Sequence, residues 1–328
     1  MKEHAVFFPV VIDGKVHWQR LALEDDADGA GGPGGGLSCI RTSEPVKAFF
    51  FSPREKVASL PEKFEPAMAE KRVLFGAKQC DIAALRVHRR IFLDGEFKDE
   101  FYASRRRNTL LVVADCPQPE DTCFCNLVGG QPHAGPEDRD EADVSLAVIE
   151  GGWIIEALSA AGEELVSQSG AAEASGAQVA VRDEQRRRAS ALLAGFNPRE
   201  FAKDAPERIW KRNTDKVFWQ HQAEGCVECY GCLAVCPTCY CFLLYDRPGE
   251  KAGMERTRVW DACYITAYAR VGGGANPRSE FHKRFFNRFY CKFSHFKTWQ
   301  GMYACSGCGR CIRACMGKID VRKAVLEA

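Results

Sequence analysis

The sequence predicts an α/β N-terminal domain over residues 1–216, followed by a smaller α+β domain over 217–328. Two observations predict it. Short apolar runs alternate with a helical pattern between residues 46 and about 165, and ten cysteines crowd into two short stretches after residue 225. Interleaved strands and helices are the signature of an α/β layer, whereas dense cysteine spacing implies a core organised by something other than apolar packing.

Taken in order, FFPVVI and VHWQRLAL flank Asp13-Gly14, which predicts a hairpin over residues 5–23. EDDADGAGGPGGG follows as a flexible, low-complexity loop over 24–37. KAFFF, RVLF, NTLLVVAD and VSLAVI are short apolar runs suited to buried strands. Between the second and third lies DIAALRVHRRIFL, where Ala84, Val87 and Ile91 recur at helical spacing and Asp81 is placed to cap. AAGEELVSQSGAAEASG is a polar stretch. PREFAKDAPERIWKRNTDKVFWQHQAEG then reads as a helical lead-in to the second domain.

Charge is nearly balanced, 45 Lys and Arg against 44 Asp and Glu among 328 residues. That gives no reason to expect nucleic acid or an anionic membrane as partner. No apolar run approaches the length of a transmembrane segment, and MKEHAVFFPVV lacks the features of a signal peptide, so a cytoplasmic protein is expected. Cysteine is the outlier at 17. An odd count in a chain this long argues against a disulfide framework and for metal ligation in a reducing, cytosolic or anaerobic setting.

The first run is Cys226-x2-Cys229-x2-Cys232-x3-Cys236-Pro237, and the second is Cys305-x2-Cys308-x2-Cys311-x3-Cys315. A four-iron cube needs four thiolates converging from nearly tetrahedral directions. Two-residue gaps let a tight turn aim successive thiols inward, and the fourth, three residues on, points to the neighbouring cluster. The expected fold of residues 217–328 is therefore dicluster ferredoxin-like, with an insertion at about 242–304. Cluster 1 is expected on Cys226, Cys229, Cys232 and Cys315, and cluster 2 on Cys236, Cys305, Cys308 and Cys311. Gly231, Gly307 and Gly309 are small enough for the backbone to approach and offer N–H groups to sulfur. A pair of zinc sites is the alternative, but zinc ribbons use two CxxC pairs across a longer gap. Met316 stands where the first run has its proline, which helps shape the turn but does not ligate.

Cys239 and Cys241 are left over, as is a second CxC pair, Cys123 and Cys125, with Cys116 nearby. Cys80 sits between a predicted strand and a predicted helix, where a thiolate is favoured. Cys80, Cys123, Cys125, Cys239 and Cys241 are thus candidates for a third cluster at the domain junction. The plainer reading makes them buried small hydrophobes. A thiol-disulfide reductase subunit that uses these surplus cysteines is a further alternative, as is a zinc-binding scaffold. Cys39 and Cys291 are expected to be non-ligands.

GGGAN, at 272–276, has neither dinucleotide-loop spacing nor a phosphate-binding lysine, and reads as a turn. RSEFHKRFFNRFYCKFSHFK reads as a packed helix with a charged outer face. Arg105–Arg107 and Arg186–Arg188 read as solvated charge, and His88 as a surface or packing residue. No residues suggest a catalytic triad.

GAKQCDIAAL, RRIFLDGEF, FYASRRRNTLLVVADC and TCFC, followed by CVECYGCLAVCPTCYCF, RVWDACYITAYARVGGGANPR and CSGCGRCIRAC, resemble one family in the same order. That family is the iron–sulfur (beta) subunit of cytosolic sulfhydrogenases, together with the corresponding iron–sulfur subunit of anaerobic sulfite reductase. The resemblance spans most of residues 70–320 and departs at the glycine-rich loop, at Met316 and at Cys291, where the family leads one to expect histidine. It implies a non-catalytic electron-transfer subunit carrying two [4Fe-4S] clusters, or three if the junction cysteines hold one. Its implied partners are a catalytic subunit, such as a NiFe hydrogenase or a sulfite reductase, together with a flavin/NAD(P)H-binding subunit.

Overall fold

A computed structural model describes residues 4–21, 36–61, 64, 69–249 and 253–328. The glycine-rich loop lies outside them except for its last two residues. Asp13 and Gly14 both adopt positive φ, 49° and 70°, and close β1 (Ala5–Ile12) on β2 (Lys15–Arg20) as the dipeptide predicts.

The chain continues through β3 (Arg54–Leu60), β4 (Arg72–Ala77), α1 (Gln79–Phe92), α2 (Glu100–Arg107), β5 (Thr109–Ala114), β6 (Val144–Ile149) and β7 (Gly152–Ala157). A six-stranded sheet forms in the order β2-β1-β4-β5-β6-β7. Its four central strands pair in parallel, and the two edges are antiparallel. Both faces of the centre are covered, which is why these strands read as continuous apolar runs. Leu74, Leu111 and Val113 point to one face, against Phe50, Ile82 and Tyr102. Val73, Val112 and Val144 point to the other, against Leu37. Burying a side chain such as Leu74 contributes about 1.5–3 kcal/mol.

Four expectations are corrected here. KAFFF is not a strand: Val46–Phe49 forms a 3-10 turn, and Phe50 and Phe51 plug the core behind it. Asp81 is not the first cap of α1 but its third helical residue, where it accepts the backbone N–H of Lys78 at 3.2 Å. AAGEELVSQ folds as α3 (Ala160–Gln168), followed by α4 (Gly176–Phe196), so the polar stretch is mostly helix. Two arginines read as solvated are instead paired in half-buried sites. Arg105 binds Glu55, and Arg186 binds Asp115 at 2.7 Å.

The lead-in forms α5 (Ala205–Lys211) and α6 (Lys216–Gln222). The first cysteine run carries a one-turn helix, α7 (Gly231–Ala234), and then β8 (Phe242–Pro248) and β9 (Met254–Trp260) form a hairpin. β9 also pairs with β3, so a three-stranded sheet ties residues 54–60 to the insertion. GGGAN is a turn, as expected. α8 (Phe281–Phe289) runs through a π-helical segment, Tyr290–His295, into α9 (Phe296–Gln300). The second run carries α10 (Arg310–Arg313), and α11 (Val321–Glu327) ends the chain. Phe285, Phe289 and Phe293, four residues apart, form the core of this part with Trp219, Tyr264 and Val325. No helix among the described residues is long and apolar enough to cross a membrane.

Candidate metal centre

The two cysteine runs share one backbone. In the first, Glu228 and Tyr230 take positive φ, 48° and 60°; in the second, Gly307 and Gly309 take 61° and 71° at the matching positions. Each left-handed residue reverses the chain between ligands, so that successive thiols face inward rather than alternating. The short helices α7 and α10 follow and pack on each other. The second run requires glycine for an additional reason. A Cβ on Gly307 would stand 2.4 Å from the Cα of Cys125, and one on Gly309 would stand 2.3 Å from the carbonyl oxygen of Thr122. The loop holding Cys123 and Cys125 lies directly on the second run, with Phe124 donating its backbone N–H to Gly307 at 2.8 Å.

Cys236 does not face its own run. It lines a recess with Cys305, Cys308 and Cys311. Cys315, from the second run, stands beside Cys226 and Cys232 in the first. Backbone N–H groups are aimed at sulfur: Gly307 to Cys305 at 3.5 Å, and Ile319 to Cys315 at 3.3 Å. The first run is the open one. Cys229 is exposed, as is Val227 next to it, whereas Cys236 and Cys308 are buried.

The recess around Cys236 is lined by cations. Arg288 and Lys292 are 5% and 4% exposed and line it directly, while Arg284, one turn earlier, bonds the carbonyl of Tyr264 and the carboxylate of Glu228. The Lys292 ammonium donates to the Thr238 hydroxyl at 2.7 Å and the Ala304 carbonyl at 3.2 Å. Burial opposes its charge, but Cys236 and Cys239 outweigh it and hold Lys292 well above the ordinary lysine value. Arg288 is raised in the same way, against burial, chiefly by Cys232 and Tyr264. The charged outer face expected of this helix is thus corrected. Arg284, Arg288 and Lys292 recur every four residues, and that stripe faces inward. The π turn at 290–295, a feature often found at functional sites, is where Lys292 is delivered.

These groups fit an anionic iron–sulfur cube. Four thiols surround the recess, buried cations balance the negative charge that thiolates and core carry, and N–H donors meet the sulfurs. Among the described residues no three His, Cys, Asp or Glu side chains close on one point as a single-ion site requires. A zinc tetrahedron with Zn–S bonds of about 2.3 Å would hold its sulfurs within ~4 Å of one another.

The five residues expected to share a third cluster are not brought together. Cys239 hydrogen-bonds Cys236, and its carbonyl accepts Lys47 at 3.1 Å. Cys241 meets the Tyr268 hydroxyl at 3.6 Å, with Cys291 and Cys263 as neighbours. Cys80, Cys123 and Cys125 instead line a separate recess together with Cys116. Cys239 and Cys241 therefore stand apart from the recess that holds Cys123 and Cys125. Sequence reasoning also missed Lys47, though a lysine inside an otherwise apolar run was a signal. His88 is fully buried against Phe51, Phe92 and Tyr102, and burial lowers its pKa to about 3. It is a packing residue.

Residues 225–319 match the model of the 4Fe-4S dicluster domain family. Over 297 residues the chain is 31% identical to sulfhydrogenase 2 subunit beta of Pyrococcus furiosus, covering 89% of this chain and 84% of that protein. No solved structure gives a significant match.

Proposed function

The chain belongs to the family of sulfhydrogenase beta subunits, and we propose that it is the electron-relay subunit of a multisubunit oxidoreductase. Cys226, Cys229, Cys232 and Cys315 would hold one [4Fe-4S] cube, and Cys236, Cys305, Cys308 and Cys311 the other. When bound, each cube supplies reversible one-electron transfer. The protein residues do the rest. The thiols fix each cube, Gly307 and Ile319 aim N–H groups at sulfur, and Arg288 and Lys292 stabilise the more reduced, more negative state. The relay would run between a flavin/NAD(P)H-binding partner and a hydrogenase-like or sulfite-reductase-like catalytic subunit. The N-terminal region would serve for docking.

One observation carries the reading: Cys236 stands with the second run and Cys315 with the first. Two independent single-run sites would not exchange their fourth thiols. The test is Cys236→Ser and Cys315→Ser in chain purified without oxygen. Each should lose about half of the iron of two four-iron cubes, and the paramagnetic signals remaining after reduction should differ between the two variants. Unchanged iron in both variants, or an active chain with no iron, would reject the reading. Co-purification from anaerobic cells should recover a flavoprotein and a metal-containing catalytic subunit.

A further inference from the structure

We infer that Cys80, Cys116, Cys123 and Cys125 together hold a third iron–sulfur centre, set at the carboxyl edge of the parallel sheet against the second cysteine run. The inference adds to the two-cube reading and fails separately from it.

The position follows from the topology. Cys80 lies in the first turn of α1, just beyond β4, and Cys116 lies just beyond β5, so both leave the carboxyl ends of neighbouring parallel strands. That edge is where open α/β sheets bind ligands. Cys123 and Cys125 come from the loop that follows. The backbone N–H of Cys116 is fixed to the Pro132 carbonyl at 2.7 Å, and the Cys123 carbonyl is fixed by Asn197 at 2.9 Å. The four thiols border one shared recess.

Its charge points to an anion. Arg41 and Lys78 line the recess at 5% and 2% exposure, and no carboxylate does. One guanidinium nitrogen of Arg41 donates to the Cys123 sulfur at 3.4 Å and has Glu120 at 3.8 Å, while its Nε finds no partner. Lys78 donates to the carbonyls of Leu37 at 2.6 Å and Asp115 at 2.9 Å, which orient the ammonium without neutralising it. Buried charge of this kind is stable only when balanced. Two disulfides would leave both cations facing neutral sulfur. A cluster core with four thiolates supplies the negative charge.

Gly307 and Cys308 line this recess, and Cys308 also lines the one around Cys236. One stretch of backbone therefore separates the third centre from the second-run cube. With both centres bound, a single electron could pass between them with no bond made and no proton moved. The surplus thiols thus extend the relay into the N-terminal region.

The test is the content of iron and acid-labile sulfide per chain after purification without oxygen. The wild type should carry about ten irons for a two-iron third centre or about twelve for a four-iron one. Cys116→Ser and Cys123→Ser should each fall back to about eight with circular dichroism unchanged, while Cys39→Ser, outside the recess, keeps the wild-type count. A wild type holding about eight irons overturns the inference even if both recess variants fail to fold, and leaves the two-cube reading intact. Recovery of these four cysteines as disulfides on alkylation without reductant overturns it, as does one zinc per chain that is lost in Cys116→Ser. Iron-free chain sinks both readings.

Discussion

The two cysteine runs adopt the same backbone but stand in opposite surroundings. The first has side chains, Glu228 and Tyr230, at its left-handed positions and presents Cys229 to solvent. The second has Gly307 and Gly309 there, because the 122–125 loop of the N-terminal region rests on it, and its recess is ringed by buried cations. Positive φ alone does not demand glycine, as Tyr230 demonstrates; close backbone approach does. The first run is open to solvent at Cys229, and the second, with Cys308 buried, is enclosed. The buried pair of Arg310 with Asp81 at 2.8 Å sits on the interior side only. It links the second run to α1, where removing one partner would strand the other charge.

The largest expected effect breaks that asymmetry directly. Gly307→Ala adds left-handed strain of about 1–2 kcal/mol and a Cβ 2.4 Å from the Cys125 backbone. Overpacking typically adds a further 1–3 kcal/mol or so. The variant should lose about 2–5 kcal/mol in denaturant unfolding and release iron from the second site. Gly231→Ala, in the first run, should stay within about 1 kcal/mol and keep its iron, because its Cβ would meet nothing closer than 3.7 Å. Equal losses in the two variants would mean that the loop does not discriminate between the runs.

What was legible followed from local signals. RVLF, NTLLVVAD and VSLAVI read as strands because both faces of the central sheet are buried, and the thiol spacing of the runs reported the turns that aim them. KAFFF misled because Phe50 and Phe51 fill a core from a turn as readily as from a strand; only Lys47, buried against Trp260 and Cys239, marked it as different. The pairing of β3 with β9 joins residues some two hundred positions apart and leaves no local trace. Cys116 could have been grouped with Cys80, since both lie just past the ends of parallel strands, but that grouping needs the strand order. The Arg284, Arg288, Lys292 stripe was readable from its four-residue spacing. It was misassigned because basic residues on a helix usually face water.

A second difference is the charge around each site. Lys292→Met removes an ammonium from the second recess while keeping most of the volume of the stem. A unit charge lining the recess, at an effective dielectric near 20, is worth roughly 2–4 kcal/mol, on the order of 100 mV for one electron. The second-run cube should shift downward by that amount in an anaerobic redox titration followed by electron paramagnetic resonance. The first-run cube should move by less than about a third as much. Equal shifts at both sites would show that the cation acts on the pair as a whole.

The smallest effect concerns pH and the cover over the interior site. His88 on α1 is buried against Phe51, Phe92 and Tyr102, with Lys47, Lys292 and Cys236 facing it, and burial lowers its pKa to about 3. The unfolded chain takes up that proton near pH 6.5 and the folded chain only near 3, so the unfolded state binds more protons between those values. Stability is therefore full above about pH 6.5 and falls as pH drops, by about 1.4 kcal/mol per unit, or roughly 2 kcal/mol at pH 5. His88→Phe should remove that slope between pH 7 and 5 in denaturant unfolding under anaerobic conditions. An unchanged slope would place the acid-sensitive group elsewhere. The interior site would then be no more sensitive to acid than the open one.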